Sequence, residues 1–358
     1  MPSRIQVVYS ETHLAHDGLI ELVAGREIAC YESPDRALAI LRALQRDPRF
    51  AIQSPTDHGL QPVLAVHDAA LVDLLEAAWT DALASGAADG TRPLIPDTFA
   101  VSAYAGPMAL GELPASRADR LGAYCFDTAT PIVAGTYAAA RSAVDVALSA
   151  AELVRDGAPL SYGLCRPPGH HAGRGLFGGY CYFNNAAIVA ESLRARHARV
   201  AILDIDYHHG NGTQQLFWER SDVLYVSLHA DPAGAYPYFS GYASEVGAGA
   251  GVGFTRNLPL PRGTDLDGYA SALLVALQLI DAFAPDAPLV LSLGFDTHID
   301  DPIGGFALRS EDYAQLGAMI GEPGRPTIVL QEGGYAVAAL GASATGLLGG
   351  LAQALSRR

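Results

Sequence analysis

Asp204, Asp206 and His208 stand at alternate positions in the segment Ala201-Ile-Leu-Asp-Ile-Asp-Tyr-His-His-Gly-Asn-Gly-Thr213. In extended chain, side chains two apart point to the same side, so these three leave one face together. The run Arg199–Leu203 before them is apolar and reads as a buried strand that ends there. Gly210 and Gly212 then break the strand and let backbone approach a neighbour closely. Two carboxylates and an imidazole on one face suit a metal ion. The same set also makes an ordinary Asp–His hydrogen bond at a polar strand end, so this segment alone leaves both readings open.

Three further strand ends carry polar groups. Arg166-Pro-Pro-Gly-His-His171 follows Tyr162–Cys165, Phe295-Asp296 follows Leu289–Gly294, and Gln331-Glu-Gly-Gly-Tyr335 follows Thr327–Leu330. In an open parallel sheet, ligands bind beyond the carboxyl ends of the strands. Asp206, His208 and Asp296 together supply two oxygens and a nitrogen. Three protein ligands leave positions open for water and substrate, the pattern of a catalytic zinc; iron(II) or cobalt(II) suits the same donors. Such a cation would lower the pKa of a bound water and polarise a carbonyl. His170 and His171, with ordinary pKa values near neutrality, would act on that water. Tyr335, brought close by Gly333 and Gly334, would donate to a developing oxyanion. The set makes a hydrolase for an amide or ester. Each part also has a plainer reading: a turn with solvated rings, a helix N-cap at Asp296, a packing tyrosine. Convergence at four strand ends favours the chemistry.

The elements that must position these groups alternate between strand and helix. Residues 4–9 read as a strand. Ser33 and Pro34 open a helix through Leu44. Pro62–Asp68 reads as a second strand and Ala69–Leu83 as a helix. Ile132–Arg155, Asn184–His197 and Leu266–Phe283 read as further helices, and Val223–His229 as a strand. The uncharged stretch Ala336–Ser356, diluted by Ser343, Thr345 and Gln353, reads as a buried helix rather than a membrane span. Most strands are continuously apolar, which predicts an α/β fold with a mostly parallel sheet covered on both faces. Residues 86–122 hold Gly90, Pro93, Pro96, Gly106, Pro107, Gly111 and Pro114 with little periodicity. They are expected to be a surface excursion, a lid or a subunit contact. With no repeat and no linker, one domain over 1–358 is expected.

The chain carries 38 acidic residues against 23 basic ones, a formal charge of −15. That argues against nucleic acid and suits a cationic substrate. The amino terminus lacks the apolar core of a signal peptide. Cys30, Cys125, Cys165 and Cys181 form no C-x-x-C pair, which fits reduced thiols in a cytoplasm.

Arg166-Pro-Pro-Gly-His-His171, Gly179-Tyr-Cys-Tyr-Phe-Asn-Asn185, Asp204-Ile-Asp-Tyr-His-His-Gly-Asn211, Ser227-Leu-His229, Gly294-Phe-Asp296 and Glu332-Gly-Gly-Tyr335 resemble the motifs of the histone deacetylase superfamily, in that family's order. Asn211, Tyr180 and Tyr236-Pro-Tyr-Phe239 make the chain most similar to its bacterial acetylpolyamine amidohydrolase branch. The resemblance implies an arginase–deacetylase fold and metal-dependent deacetylation of an N-acetylated amine such as acetylputrescine or acetylcadaverine. It implies Asp206, His208 and Asp296 as ligands of zinc (or iron or cobalt), and His171 as general base and acid. His170 would be the electrostatic partner, held by Asp204, with Asn211 behind His171 and Tyr335 polarising the carbonyl. Gly179, Tyr180, Tyr236 and Gly333 would line a narrow substrate tunnel, and Asp127 would be a rim residue or the N-cap of the next helix. Asp204, Asp206, His208, Ser227 and Leu228 resemble a potassium site. Tyr207 between Asp206 and His208 argues for the one-metal branch and against an arginase. A homodimer is expected, with Asp97, Glu112 and Asp119 as candidates for acidic groups at the tunnel mouth. Acetyl-lysine in proteins is the alternative substrate, and a non-catalytic binder of acylated amines the remaining reading.

Overall fold

The computed structural model describes residues 4–99, 113–114 and 116–357. Its centre is one sheet of eight strands: β1 (Ile5–Val8), β4 (Phe50–Gln53), β5 (Leu160–Gly163), β6 (Val200–Asp204), β7 (Val223–Ala230), β8 (Thr255–Leu260), β9 (Leu289–Leu293) and β10 (Thr327–Gln331). They lie in the order β4-β1-β5-β10-β9-β6-β7-β8, and every neighbouring pair is parallel. A separate antiparallel hairpin joins β2 (Ile20–Val23) to β3 (Arg26–Ala29).

The strands are apolar on both faces because helices cover both. Ala201, Leu203, Leu289, Leu291 and Val329 turn to one side. There they meet helices α1 (Pro34–Gln45), α8 (Leu266–Phe283), α9 (Asp312–Gly321) and α10 (Val337–Leu355). Val200, Ile202, Val290, Ile328 and Leu330 turn to the other. Those meet α2 (Gln61–Val66), α3 (Ala69–Ser85), α5 (Thr136–Arg155) and α6 (Asn185–Arg194). The period-two alternation therefore feeds two cores instead of a core and a solvent face. Two of the described helices, α8 and α10, are long and apolar enough to cross a membrane. Here each has a buried face, α8 packed on β7 and β6, and α10 packed against α9 and α1.

Several expectations need correction. Residues 61–66 are a helix, not a strand. Pro62 sits in its first turn, where a missing N–H costs nothing, and only Val63 and Val66 are buried, one helical turn apart. Such a short apolar run carries no decisive period. Within 86–122, Arg117–Tyr124 forms helix α4, capped by the Ser116 hydroxyl, with Leu121 buried. Leu94 pairs with Ile132, and the Phe99 N–H donates to the Gly122 carbonyl. Gly106, Pro107, Gly111 and Glu112 lie outside the described residues. The helix expected from Ile132 starts at Thr136, with Gly135 at its cap, so Asp127 is not an N-cap. β4, β8, the β2–β3 hairpin, α9 and the short helix α7 (Asn211–Phe217) escaped the sequence reading.

Candidate active site

The four polar strand ends belong to β5, β10, β9 and β6, which are consecutive in the sheet. Their carboxyl ends therefore open at one edge, side by side. Asp206, His208 and Asp296 lie there, all buried, with their ligand atoms within 4.8 Å of one another. His208 Nδ1 is 3.0 Å from Asp296 Oδ2 and 3.4 Å from Asp206 Oδ1. Backbone N–H groups hold the carboxylates: that of Gly333 donates to Asp206 Oδ2 (2.8 Å) and that of Tyr207 to Asp296 Oδ1 (2.9 Å). At Gly333 the close approach requires glycine, because a Cβ there would stand 2.4 Å from Asp296 Oδ2 and 2.6 Å from Asp206 Oδ2.

The trio fits a divalent cation. Two carboxylates and a ring nitrogen converge in a buried spot. Among the described residues no arginine donates a hydrogen bond to either carboxylate. Burial opposes a charged His208 ring, but hydrogen bonding to Asp206 and Asp296 outweighs it and pushes the ring up to about 10. The negative potential of the two carboxylates would equally favour a cation there.

His170 and His171 follow β5, their ring centroids 4.1 Å apart. Asp204 Oδ2 is 3.1 Å from His170 Nδ1 and also accepts from the Tyr225 hydroxyl at 2.9 Å. His171 Nδ1 faces the Asn211 amide oxygen at 2.7 Å. An amide oxygen can only accept, so Nδ1 carries the proton and Nε2 is left as a base. Burial, then the neighbouring rings of His170 and His208, hold His171 well below the usual imidazole range. In the turn after β5, one ring is tied to a carboxylate and the other to a neutral amide, and their basicities separate.

Tyr335 closes the site from β10. Its N–H donates to Asp301 Oδ2 at 2.6 Å. The Arg36 guanidinium lies 4.6 Å from its ring centroid and donates to the carbonyls of Glu332 and Gly334, both at 2.6 Å. Burial raises the Tyr335 hydroxyl well above its usual pKa, so it remains a donor. Glu332 accepts from the backbone of Gly169 and His170 and from Ser292, locking β5, β9 and β10 together.

A cavity of about 410 Å³ leads to these groups, lined by Asp127, Gly179, Tyr180, Tyr236 and Gly333 among others. Tyr236 stands edge-on to His171, centroids 5.1 Å apart, and its hydroxyl donates to Asp127 Oδ2 at 2.7 Å. The Gly179 N–H reaches the same oxygen. Gly179 adopts φ +58°, and a Cβ would stand 2.2 Å from the His171 ring. Asp127 is thus a brace between the two walls. Asp97 and Asp119 are exposed and do not line the cavity of this chain. Of the expected potassium residues, Asp204 pairs with Ser227 across β6 and β7, next to Leu228, while Asp206 and His208 belong to the trio with Asp296. A larger groove, about 1090 Å³, opens near Ile5 and Leu160, at the amino ends of β1 and β5, but among the described residues no carboxylate, histidine or cysteine lines it.

The sequence reading missed Arg36, Asp301, Tyr225 and the role of Glu332. Glu332 alone had a signal, its place beside Gly333-Gly334-Tyr335. Arg36 comes from α1, 298 positions from the Gly334 carbonyl it holds.

Known proteins share this architecture. Acetylpolyamine amidohydrolase 1 of Pseudomonas aeruginosa is 46% identical over 344 residues, 96% of this chain and 97% of that protein. Acetylpolyamine amidohydrolase of Mycoplana ramosa is 42% identical over 349 residues, covering 97% and 100%. The crystal structure of acetylpolyamine aminohydrolase from Burkholderia pseudomallei superposes with a TM-score of 0.90 at 38% identity, over 98% of this chain and 99% of that one. The arginase–deacetylase fold expected from the motifs is therefore the fold observed. Since the family model for the histone deacetylase domain also matches residues 30–351, the chain belongs to the histone deacetylase family.

Proposed function

We propose that the chain is a metal-dependent amidohydrolase, one catalytic domain over residues 1–358. It would remove the acetyl group from small N-acetylated amines, in particular acetylpolyamines such as acetylputrescine and acetylcadaverine. The observation that carries the chemistry is the meeting of Asp206, His208 and Asp296 with His171 and Tyr335 around one cavity. The full-length likeness to acetylpolyamine amidohydrolases supports the substrate class.

Asp206, His208 and Asp296 would hold zinc, iron(II) or cobalt(II), whose Lewis acidity serves a water and the amide carbonyl. His171 Nε2 takes the proton from the attacking water, its ring oriented by Asn211. The Tyr335 hydroxyl donates to the carbonyl oxygen as negative charge develops there, on a loop already braced by Arg36 and Asp301. His171 then returns its proton to the leaving amine. His170, tied to Asp204, supplies positive charge beside the reacting centre. Tyr180 and Tyr236 wall the approach, which suits a methylene chain and disfavours branched substrates. Asp204, Asp206, His208, Ser227 and Leu228 would bind potassium as a structural ion. Four free thiols fit a cytoplasmic enzyme, and a homodimer is the expected assembly.

The test is acetate release from acetylputrescine, acetylcadaverine and an acetyl-lysine peptide. The small amines should be preferred. Chelation should abolish activity, and zinc, iron(II) or cobalt(II) should restore it. Full activity of Asp206→Ala, or after exhaustive chelation, would sink this mechanism, and a preference for the peptide would replace the substrate class.

A further inference from the structure

The β2–β3 hairpin stands apart from the central sheet and forms one wall of the active-site cavity. Alternation along β2 turns Glu21 and Val23 to the same side, and register places Ile28 opposite Glu21. All three line the cavity, with Tyr31 and Tyr180. Glu21 is therefore a carboxyl set among apolar and aromatic side chains. It is 1% exposed, and among the described residues its Oε2 has no hydrogen-bond partner. The Tyr180 hydroxyl and the Cys30 thiol are its polar neighbours. Its closest charged influences, Asp127 and Glu32, are themselves acidic. Arg262 also lines the cavity but is exposed, where solvent screens its charge.

A buried carboxylate with a free oxygen and no counterion is costly, and a cation arriving with a ligand removes that cost. We propose that Glu21 is the acceptor for the free ammonium group of a mono-acetylated linear diamine whose amide end reaches Tyr335. Oε2 takes the ammonium hydrogen bond. Val23, Ile28 and the rings of Tyr31 and Tyr180 cover the methylenes. Glu21 thus selects an amine that is acetylated at one end and cationic at the other, over a neutral amide of equal length. The assignment deepens the deacetylase reading and rests on it for the position of the amide.

The test compares wild type with Glu21→Gln on N-acetylcadaverine and on N-pentylacetamide, its neutral counterpart. Wild type should have the lower KM for the cation. Glu21→Gln should raise that KM about tenfold or more with kcat little changed, in line with loss of a charged hydrogen bond. It should leave the neutral amide unaffected. Thermal melting of Glu21→Gln checks that it folds. An equal loss on both substrates would mean that Glu21 only props Tyr180, and no change on either would mean that it meets no ligand; both overturn the assignment. If wild type cleaves neither amide, the deacetylase reading falls. Calorimetric binding of N-acetylcadaverine then tests Glu21 by itself: binding lost in Glu21→Gln supports it, whereas equal binding, or none to wild type, overturns it. If Glu21→Gln does not fold, the same comparison is made with Glu21→Asp. That variant keeps the charge but shortens the reach, and should weaken the cation alone.

Discussion

His171 Nδ1 lies 2.7 Å from Asn211 Oδ1, and this single contact leaves Nε2 as the nitrogen free to accept a proton. A carboxylate at position 211 would make the same hydrogen bond but would stabilise the imidazolium. Asn211→Asp should therefore raise the pKa of His171. The acid limb of kcat/KM against pH should move upward by roughly one unit. A pH profile of acetate release checks it, and an unmoved limb would mean that His171 is not the base.

Tyr335 keeps its proton because burial raises its hydroxyl pKa. Tyr335→Phe removes the donor and little volume. We expect kcat to fall on the order of 10²- to 10³-fold, as for loss of one oxyanion donor, with KM and thermal melting nearly unchanged. Steady-state kinetics with a melting curve separates this from misfolding.

Arg36 ties α1 to the Tyr335 loop. It donates to the Glu332 and Gly334 carbonyls and pairs with buried Glu32 at 2.6 Å. Arg166 holds the same carboxylate from a second side at 2.9 Å. Arg36→Met should leave the Gly334 carbonyl without a donor, the Glu332 carbonyl with only the Gln331 side-chain amide at 3.2 Å, and Glu32 with one guanidinium. The expected loss is about 3 kcal/mol of stability, together with a drop in kcat as the Tyr335 loop loosens. Denaturant unfolding measures the first and turnover the second.

His67 uses both ring nitrogens as a neutral imidazole. Nδ1 donates to the Gly173 carbonyl at 2.8 Å, and Nε2 accepts from the Asn184 N–H at 2.9 Å. A proton on Nε2 would confront that N–H. Burial lowers the ring's pKa from 6.5 to about 4. Between those values the unfolded chain binds more protons than the native one, so stability rises with pH across the window. It is lost as pH falls from 6.5 towards 4, by about 3 kcal/mol for this ring. His13 and His16, also lowered to about 4 by burial, add to the slope. Denaturant melts at pH 7 and pH 4.5 measure it. His67→Gln should flatten the slope and lower stability at pH 7.

Much of the catalytic edge was legible in the chain itself. Alternation placed Asp204, Asp206 and His208 on one face, and apolar runs followed by Asp296 or by Gly333-Gly334-Tyr335 marked strand ends. These are local patterns, written within a few residues of each other. Pro62–Asp68 misled because its five-residue apolar run, Pro62–Val66, has no period of its own to separate helix from strand. What only the tertiary structure decided was adjacency. The order β5-β10-β9-β6 depends on pairings between strands distant in the chain, such as Leu160 with Thr327 and Ala201 with Leu289, and no local pattern encodes it. The braces are of the same kind: Arg36 from α1 against the Tyr335 loop, Asp127 joining Gly179 to Tyr236, and Glu21 from a hairpin outside the sheet. A side chain's partner is set by the packing of whole elements, whereas its chemistry is set by its own atoms. The sequence by itself therefore determined which groups could act, and the fold determined which of them meet.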